Sequence, residues 1–370
     1  MSLRALLAAG LGIHALLHLL GFLKAFSLVR APQLKVPISR RMGALWLVAA
    51  VVLALAAVGL MVAPAWFWLP AVVGVLASQV AIVTSWADAR FGTVPNVLTL
   101  LGALYASVAI GPFGLHAEYQ TRAGQARPTP GPSGLVTDAD LARLPAPVQR
   151  YLRYVGVVGE PHVRGIRLHF RGRIRSAPGA AWMPFVGEQR SLVAPATRLF
   201  FMQATMRGVP LDALHAYDGG AARMRVKLLS LFALVDTGGP EFTRAETVTL
   251  LNDLCIMAPA ALIDVPIVWK TIDDRHVEAT YSNGPHTVRG VLVFDAFGAL
   301  ENFWSDDRPA LAADGARFAA QRWSTPVGDY RMRGTFRLAS RGEARYAAAL
   351  EEYAYIEFDD LDVISEFAPR

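Results

Sequence analysis

The chain divides by the period of its apolar positions. As far as residue 116, four runs at about 3–23, 43–63, 66–86 and 95–115 are apolar with no polar period. Each is about 20 residues long, enough to cross the roughly 30 Å hydrocarbon core as a helix. Beyond Pro161 the period becomes two. In "GIRLHFRGRIR", Ile166, Leu168, Phe170 and Ile174 alternate with Arg167, His169, Arg171, Arg173 and Arg175, the pattern of a half-buried strand with a basic outer face. "YRMRGTFRL" reads the same way, with Met332, Phe336 and Leu338 on one face, and "YAYIEFDD" puts Ile356 and Phe358 opposite Tyr355, Glu357 and Asp359. Cross-strand ion pairing between the arginine rows and these acids is the expected arrangement. The alternative is a surface for phosphates or lipid headgroups.

Between the two regimes, residues 117–134 ("AEYQTRAGQARPTPGPSG") have no apolar period and read as a Pro/Gly-rich linker. Thr137 caps a first short helix. A second starts after Pro145, with Val148, Tyr151, Leu152 and Val155 on one face. "EQRSLVA", "RLFFMQATMR", "LDALHAYDGG" and "ARMRVKLLSLFALVD" are strand candidates, and Asn283-Gly284 marks a tight hairpin. One helix interrupts them at about 244–262, with Thr243 and Glu246 as a capping box. The expected fold is an α-helical bundle of four transmembrane helices (1–116), a linker (117–134) and an extracytoplasmic α+β domain (135–370). That domain is a large curled antiparallel sheet with one embedded helix and short edge helices. A curled sheet closed by a helix can enclose an apolar cavity. Phe200, Met202, Met206, Leu229, Leu231, Phe232 and Leu254 are its expected lining, although the same residues would also make a dry core.

Composition supports the division. Of 370 residues 54% are hydrophobic, and the mean hydropathy is +0.34, high for a soluble chain. Residues 1–116 carry seven basic groups and one acid, Asp88, leaving 29 of each sign beyond. The net charge of +6 therefore belongs to the first part and is a membrane-topology signal, not a nucleic-acid footprint. Five basic residues lie in "KAFSLVRAPQLKVPISRR" and Arg90 in "ADARFGTVP", while the turn near Pro64 has none. The positive-inside rule puts both basic loops in the cytoplasm. The N-terminus and the β-rich domain are then outside the inner membrane of a bacterium. The single cysteine, Cys255, rules out an internal disulfide framework and a cysteine metal cluster. At an apolar helix position it reads as core.

Nucleotide, Walker, G-x-S-x-G and H-E-x-x-H signatures are absent, and no cofactor or metal is expected. His14 and His18, four apart in the first span, share one helix face. They can bind helices together, relay protons, or hold a metal or haem. Haem normally needs ligands on separate helices, and the next three spans contain no histidine. Ser78, Gln79 and Thr84 of the third span are the expected partners. A polar cluster of His14, His18, Lys24, Arg40, Gln79 and Asp88 at the cytoplasmic side is one candidate site. The loop "SDDR" is another, through Asp306, Asp307 and Arg308; its plainer reading is a turn in which Arg308 pairs with Asp307.

"HALLHLLGFLKAF", "VPISRRMGALW", "SQVAIVTSWADARFGTVPN", "LPAPVQRYLRYVG" and "FWSDDR" together resemble a family of uncharacterised bacterial proteins, the DUF6544 type. That resemblance implies no activity. The order of strands, "YDGGAARM", a helix and a meander is similar at fold level to lipoprotein carriers of the LolA and LolB type. That likeness implies an open, curled sheet that holds acyl chains. Three functions are expectations on these grounds. The first is a membrane-anchored protein that binds or hands on a lipid or other apolar molecule. The second is a membrane enzyme with its site at the cytoplasmic side of the bundle, and the third a structural or sensory module. The bilayer is the expected partner, and the sequence sets no oligomeric state.

Overall fold

A computed structural model describes residues 2–311, 317–347 and 352–367. The chain forms two compact units that divide between Glu118 and Tyr119. The first contains α1 (Leu3–Ala25), α2 (Arg40–Val62), α3 (Trp68–Thr84), the short α4 (Trp86–Ala89), a 3-10 turn (Arg90–Gly92) and α5 (Thr93–Ala109). Three helical stretches are long and apolar enough to cross a membrane: Arg4–Ala25, Arg40–Val62 and Trp86–Ala109. The expectation of four is corrected at the third run. Its helix has 17 residues, about 26 Å at 1.5 Å per residue. The Pro64–Phe67 segment delays its start. At its end the Thr84 hydroxyl bonds back to the Ala81 carbonyl at 2.9 Å, and Ser85 leaves helical geometry.

The packing of this unit is the reverse of a water-soluble core. Its interior is rich in small residues: Ala49, Ala50, Ala56, Ala71, Ala81, Ala103 and Ala106 are buried beside Leu53, Ile82 and Trp46, while Leu16, Leu17, Leu55, Leu76 and Leu98 are exposed. Small residues bring helices close. A Cβ at Gly74 would come within 2.9 Å of the Leu53 side chain, and one at Gly21 would strike the Trp46 ring at 2.2 Å.

Residues 117–134, expected as linker, include the end of helix α6 (Leu115–Gln125). Tyr119 stacks on Phe201, the Ala123 carbonyl accepts from Arg190, and Thr129 N–H donates to the Ala194 carbonyl at 2.8 Å. Within it only Tyr119 and Ala123, one turn apart on α6, are buried hydrophobic residues, a stripe too short to show as an apolar period. Helix α7 (Asp138–Leu141) carries the capping box of Thr137 and Asp140, and α8 (Ala146–Val155) buries Val148, Tyr151, Leu152 and Val155 as its periodicity predicts.

The strands before the long helix are β1 (Val163–Ile174), β2 (Met183–Leu192), β3 (Thr197–Met206), β4 (Val209–Asp218), β5 (Ala221–Leu228) and β6 (Phe232–Gly238). Helix α9 (Pro240–Met257) comes next, with a 3-10 turn (Pro259–Ile263). After it lie β7 (Ile267–Thr271), β8 (His276–Asn283), β9 (His286–Phe294), β10 (Leu300–Ser305) and the two-residue β11 (Ala310–Leu311), β12 (Phe318–Ala319) and β13 (Trp323–Ser324). The last are β14 (Val327–Arg333), β15 (Phe336–Ala347) and β16 (Glu352–Phe367). Apart from the β11–β12 pair they make one 14-stranded antiparallel sheet, in the order β6-β5-β4-β3-β2-β1-β16-β15-β13-β10-β9-β8-β7, with β14 also on β15. Helix α9 packs against β5 and β6 near one end and against β9, β10 and β15 farther along. One helix can reach both parts only if the sheet curls around it, as a sheet of this length tends to do.

Two strand expectations are corrected. "ARMRVKLLSLFALVD" is a hairpin, because Leu229 and Ser230 both adopt left-handed geometry (φ 54° and 58°). Leu229 N–H bonds the Pro210 carbonyl at 2.8 Å, and the Ser230 hydroxyl bonds Asp212. "YRMRGTFRL" is also a hairpin. Arg333 pairs with Phe336 across Gly334-Thr335, so Met332 lies exposed instead of sharing a face with Phe336. The arginine rows do pair with the acidic strand: Arg167 with Glu366, Arg171 with Asp360 and Arg173 with Glu357.

Candidate functional site

Strand register assembles the concave face row by row. Leu168, Gln189, Phe200, His215 and Met224 lie side by side across β1 to β5, and Phe170, Gly187, Met202, Ala213 and Val226 form the next row. On the other side Arg198 lines up with Tyr217 and Ala222. Gly187 is required here. Phe170 stacks on Phe200 with centroids 4.8 Å apart, and a Cβ at residue 187 would sit 2.4 Å from the Phe170 ring. The Phe358 ring meets Phe170 edge-on at 5.6 Å. Under α9 these aromatics, with Met202, Met224 and Phe242, line a cavity of about 290 Å³.

One wall of the cavity is charged. Glu246 of α9 is buried and accepts from Arg308 at 3.0 Å, with Arg198 at 3.6 Å and His215 Nδ1 at 3.9 Å. Arg198 also donates to Asp253 at 2.7 Å, as does Gln189. Arg308 donates to Thr249 at 2.9 Å and to the Tyr346 hydroxyl, and lies over the Trp323 ring at 4.5 Å. Burial alone would raise the Glu246 carboxyl, but Arg308, His215 and Arg198 hold it down at about 2. Burial lowers His215, against the pull of Glu246, which keeps the imidazole neutral near neutral pH. The wall is therefore ionised but balanced: two arginines, two carboxylates and a neutral histidine with its ring in the cavity lining. Buried ions are tolerated only when paired in this way.

Of the residues expected to line a cavity, Phe200 and Met202 do. Leu254 faces a separate small depression with Leu192 and Ala196. Met206 ends β3, and Leu229, Leu231 and Phe232 belong to the β5–β6 turn, where Phe232 is 62% exposed. The "SDDR" loop is split. Arg308 turns into the cavity wall, whereas Asp307 pairs with Arg244 at 2.7 Å and Asp306 with Arg322 at 2.8 Å. The expected Arg308–Asp307 pair is thus replaced by Arg308–Glu246. Helix α9 starts at Pro240, one turn earlier than expected, so Glu246 is no cap. Arg198 and His215 were signalled by the period of two, which puts Arg198 with Phe200 and Met202. Cys255 is fully buried, and burial pushes its thiol pKa up.

The cluster expected in the helical unit is arranged differently from the sequence reading. His14 Nε2 lies 2.9 Å from Asn96 Oδ1 on α5. Asn96 also accepts from Ser78 at 3.0 Å and donates to Gln79 at 2.9 Å. The hub is thus Asn96, which sequence reasoning passed over as an ordinary position of the fourth run. Its amide can donate and accept at once. His18 Nδ1 bonds the His14 carbonyl at 2.9 Å, and the ring packs on Trp46 of α2, not on the third helix as expected. Lys24 donates to the Leu34 and Val36 carbonyls, and Asp88 accepts from Val36 N–H at 2.6 Å. Arg40 lies over Phe26. Lys24 and Asp88 therefore pin one loop and do not join the histidines. Among the described residues no group of three or more His, Cys, Asp or Glu side chains is placed to hold a metal.

Residues 134–358 match the family of unknown function DUF6544. The chain belongs to this family. The match covers α7, α8 and nearly the whole sheet. A solved structure described as an outer membrane lipoprotein-sorting protein domain from Vibrio parahaemolyticus is similar at 9% identity and a TM-score of 0.31, over 56% of this chain and 87% of that one. No curated protein matches.

Proposed function

We propose that this DUF6544 protein is a membrane-anchored binding protein whose β-rich unit holds or hands on a lipid or other apolar ligand. The observation that carries the reading is the cavity of about 290 Å³ between α9 and the concave face, lined by Phe170, Phe200, Met202, Phe242 and Phe358. Its size is near the lower end for small-molecule sites. Anchoring is supported by the exposed leucines and small-residue interior of the helical unit. With the 17-residue α3 crossing as a fourth, shorter span, the positive-inside rule orients it with the β-rich unit outside the cytoplasm of a bacterial inner membrane. Native mass spectrometry of the full chain, purified in mild detergent, tests the reading. A retained lipid mass is expected. A protein that carries none, and takes up none from added lipid, would end it.

A second reading is favoured by the charged wall. A neutral His215 beside an ionised Glu246 can accept a proton, and Arg198 and Arg308 can stabilise negative charge. The protein would then act on its ligand. Conversion of the retained lipid by wild-type protein but not by His215→Gln is the discriminating result.

A further inference from the structure

The cavity also carries an uneven distribution of charge. Its charged lining consists of Arg175, Arg198, Glu246, Asp253, Arg308 and Glu343. Arg198 and Arg308 are matched by Glu246 and Asp253, and Glu343 pairs with Arg345 at 2.7 Å. Arg175 remains. Among the described residues no carboxylate pairs with it. Its Nε donates to the Ala354 carbonyl at 2.8 Å, and its guanidinium lies 4.5 Å from the Trp182 ring centroid. Arg173 shares that ring but is paired with Glu357. The carbonyl and the ring fix the direction of Arg175 without neutralising it, and the terminal N–H groups of its fork are left for a ligand.

Position adds to charge. Arg175 lies just past the end of β1, next to Ser176, which is exposed and also lines the cavity. Among the described lining residues Ser176 alone is exposed, so this end opens to solvent. Leu168, in the row of Gln189 and His215, lies seven residues back along the strand, about 23 Å at 3.3 Å per residue. Phe170, Phe358 and Ile174 fill the interval. The lining is thus elongated, apolar along its middle, and cationic at its mouth.

We infer that the cavity takes a single-chain anionic amphiphile, with its carboxylate or phosphate head on Arg175 and its chain along the Phe170–Phe200 stack. This rests on the binding reading above and names the class of ligand. Charge-assisted hydrogen bonds are the strong ones, so the head contributes selectivity and the aromatics contribute affinity.

The test uses the full chain in phosphatidylcholine nanodiscs, with radiolabelled palmitic acid and hexadecanol counted against empty discs. Wild-type protein is expected to favour the acid over the alcohol by about tenfold or more. Arg175→Leu should lose that preference and bind hexadecanol as before, which also reports that the cavity is intact. Arg175→Lys should keep most of the preference. Equal binding of acid and alcohol by wild type, or a preference that survives in Arg175→Leu, overturns the inference and leaves the binding reading standing. If neither ligand exceeds the background, the binding reading itself fails. Inorganic phosphate is the remaining arm. If millimolar phosphate removes the acid and spares the alcohol, the site takes a free anion and the amphiphile assignment is wrong.

Discussion

The charged wall makes the sharpest demand on stability. Glu246→Gln removes the carboxylate that faces Arg308, Arg198 and His215 while keeping the shape of the side chain. Breaking a buried pair by removing one partner typically costs about 3–5 kcal/mol. Arg308 keeps its bonds to Thr249 and Tyr346 and its stack on Trp323, and Arg198 keeps Asp253. The low end, about 3 kcal/mol, is therefore expected. For a unit of this size that is a fall of about 6–12 °C in melting temperature. Tryptophan fluorescence during heating of the full chain in detergent would measure it. Replacing both partners, Glu246→Gln with Arg308→Met, should recover most of the loss, because the uncompensated cation goes too.

Acid titration of stability gives an independent arm. In the folded protein the Glu246 carboxyl sits at about 2, below its ordinary 4.5. The unfolded chain then binds more protons in that interval, so the contribution is complete above 4.5 and is lost as pH falls toward 2. The difference amounts to roughly 3 kcal/mol. His215 is lowered as well, so a shallower loss begins as pH drops below 6.5, where only the unfolded chain takes up its proton. Glu246→Gln should abolish the lower step and keep the upper one. An unchanged melting temperature in Glu246→Gln, with the lower step intact, would refute the buried network.

Reporter fusions after residue 120 should report an extracytoplasmic location if α3 crosses as a fourth, shorter span; cytoplasmic activity would overturn that crossing and the external placement of the β-rich unit. A fragment beginning at Tyr119 should be soluble and melt higher than one beginning at Gly134, since only the first keeps Tyr119 on Phe201 and the Ala123 carbonyl for Arg190; equal melting would deny α6 a structural role. In the helical unit, Asn96→Leu should destabilise the bundle more than His14→Leu, because Asn96 joins three partners and His14 one of them; each bond is worth about 0.6 kcal/mol, and resistance to denaturing detergent would rank the variants. Changing both His14 and His18 to Leu should remove no coloured species; a Soret band lost on that change would revive haem.

The elements legible in the sequence obey local rules. The apolar helices α1 and α2, the face of α8, the Asn283-Gly284 hairpin and the alternation of β1 each depend on residues a few positions apart, and each appears where the periodicity places it. The failures have two causes. The first is turn chemistry without its usual residues. Leu229 and Ser230 carry positive φ without glycine, held by Pro210 and Asp212 from the neighbouring strand. An error of one turn there misplaced Leu229, Leu231 and Phe232 together. The second is that the charged wall is non-local. Arg308 meets Glu246 across 62 residues, and Arg198 meets Asp253 across 55. Glu246 fitted a capping box and Arg308 fitted a turn, so each had an adequate local explanation.

Arg175 is hidden from the sequence by its local pattern as well. On period two it belongs with the solvent-facing arginines of β1. The alternation of β1 holds through Arg173, which stays outside and pairs with Glu357, but β1 ends at Ile174, and Arg175, one residue beyond, lines the cavity. Where a strand that alternates Arg with apolar residues comes to its end, the loss of alternation is enough to move a cation from the solvated face to the lining of an apolar chamber.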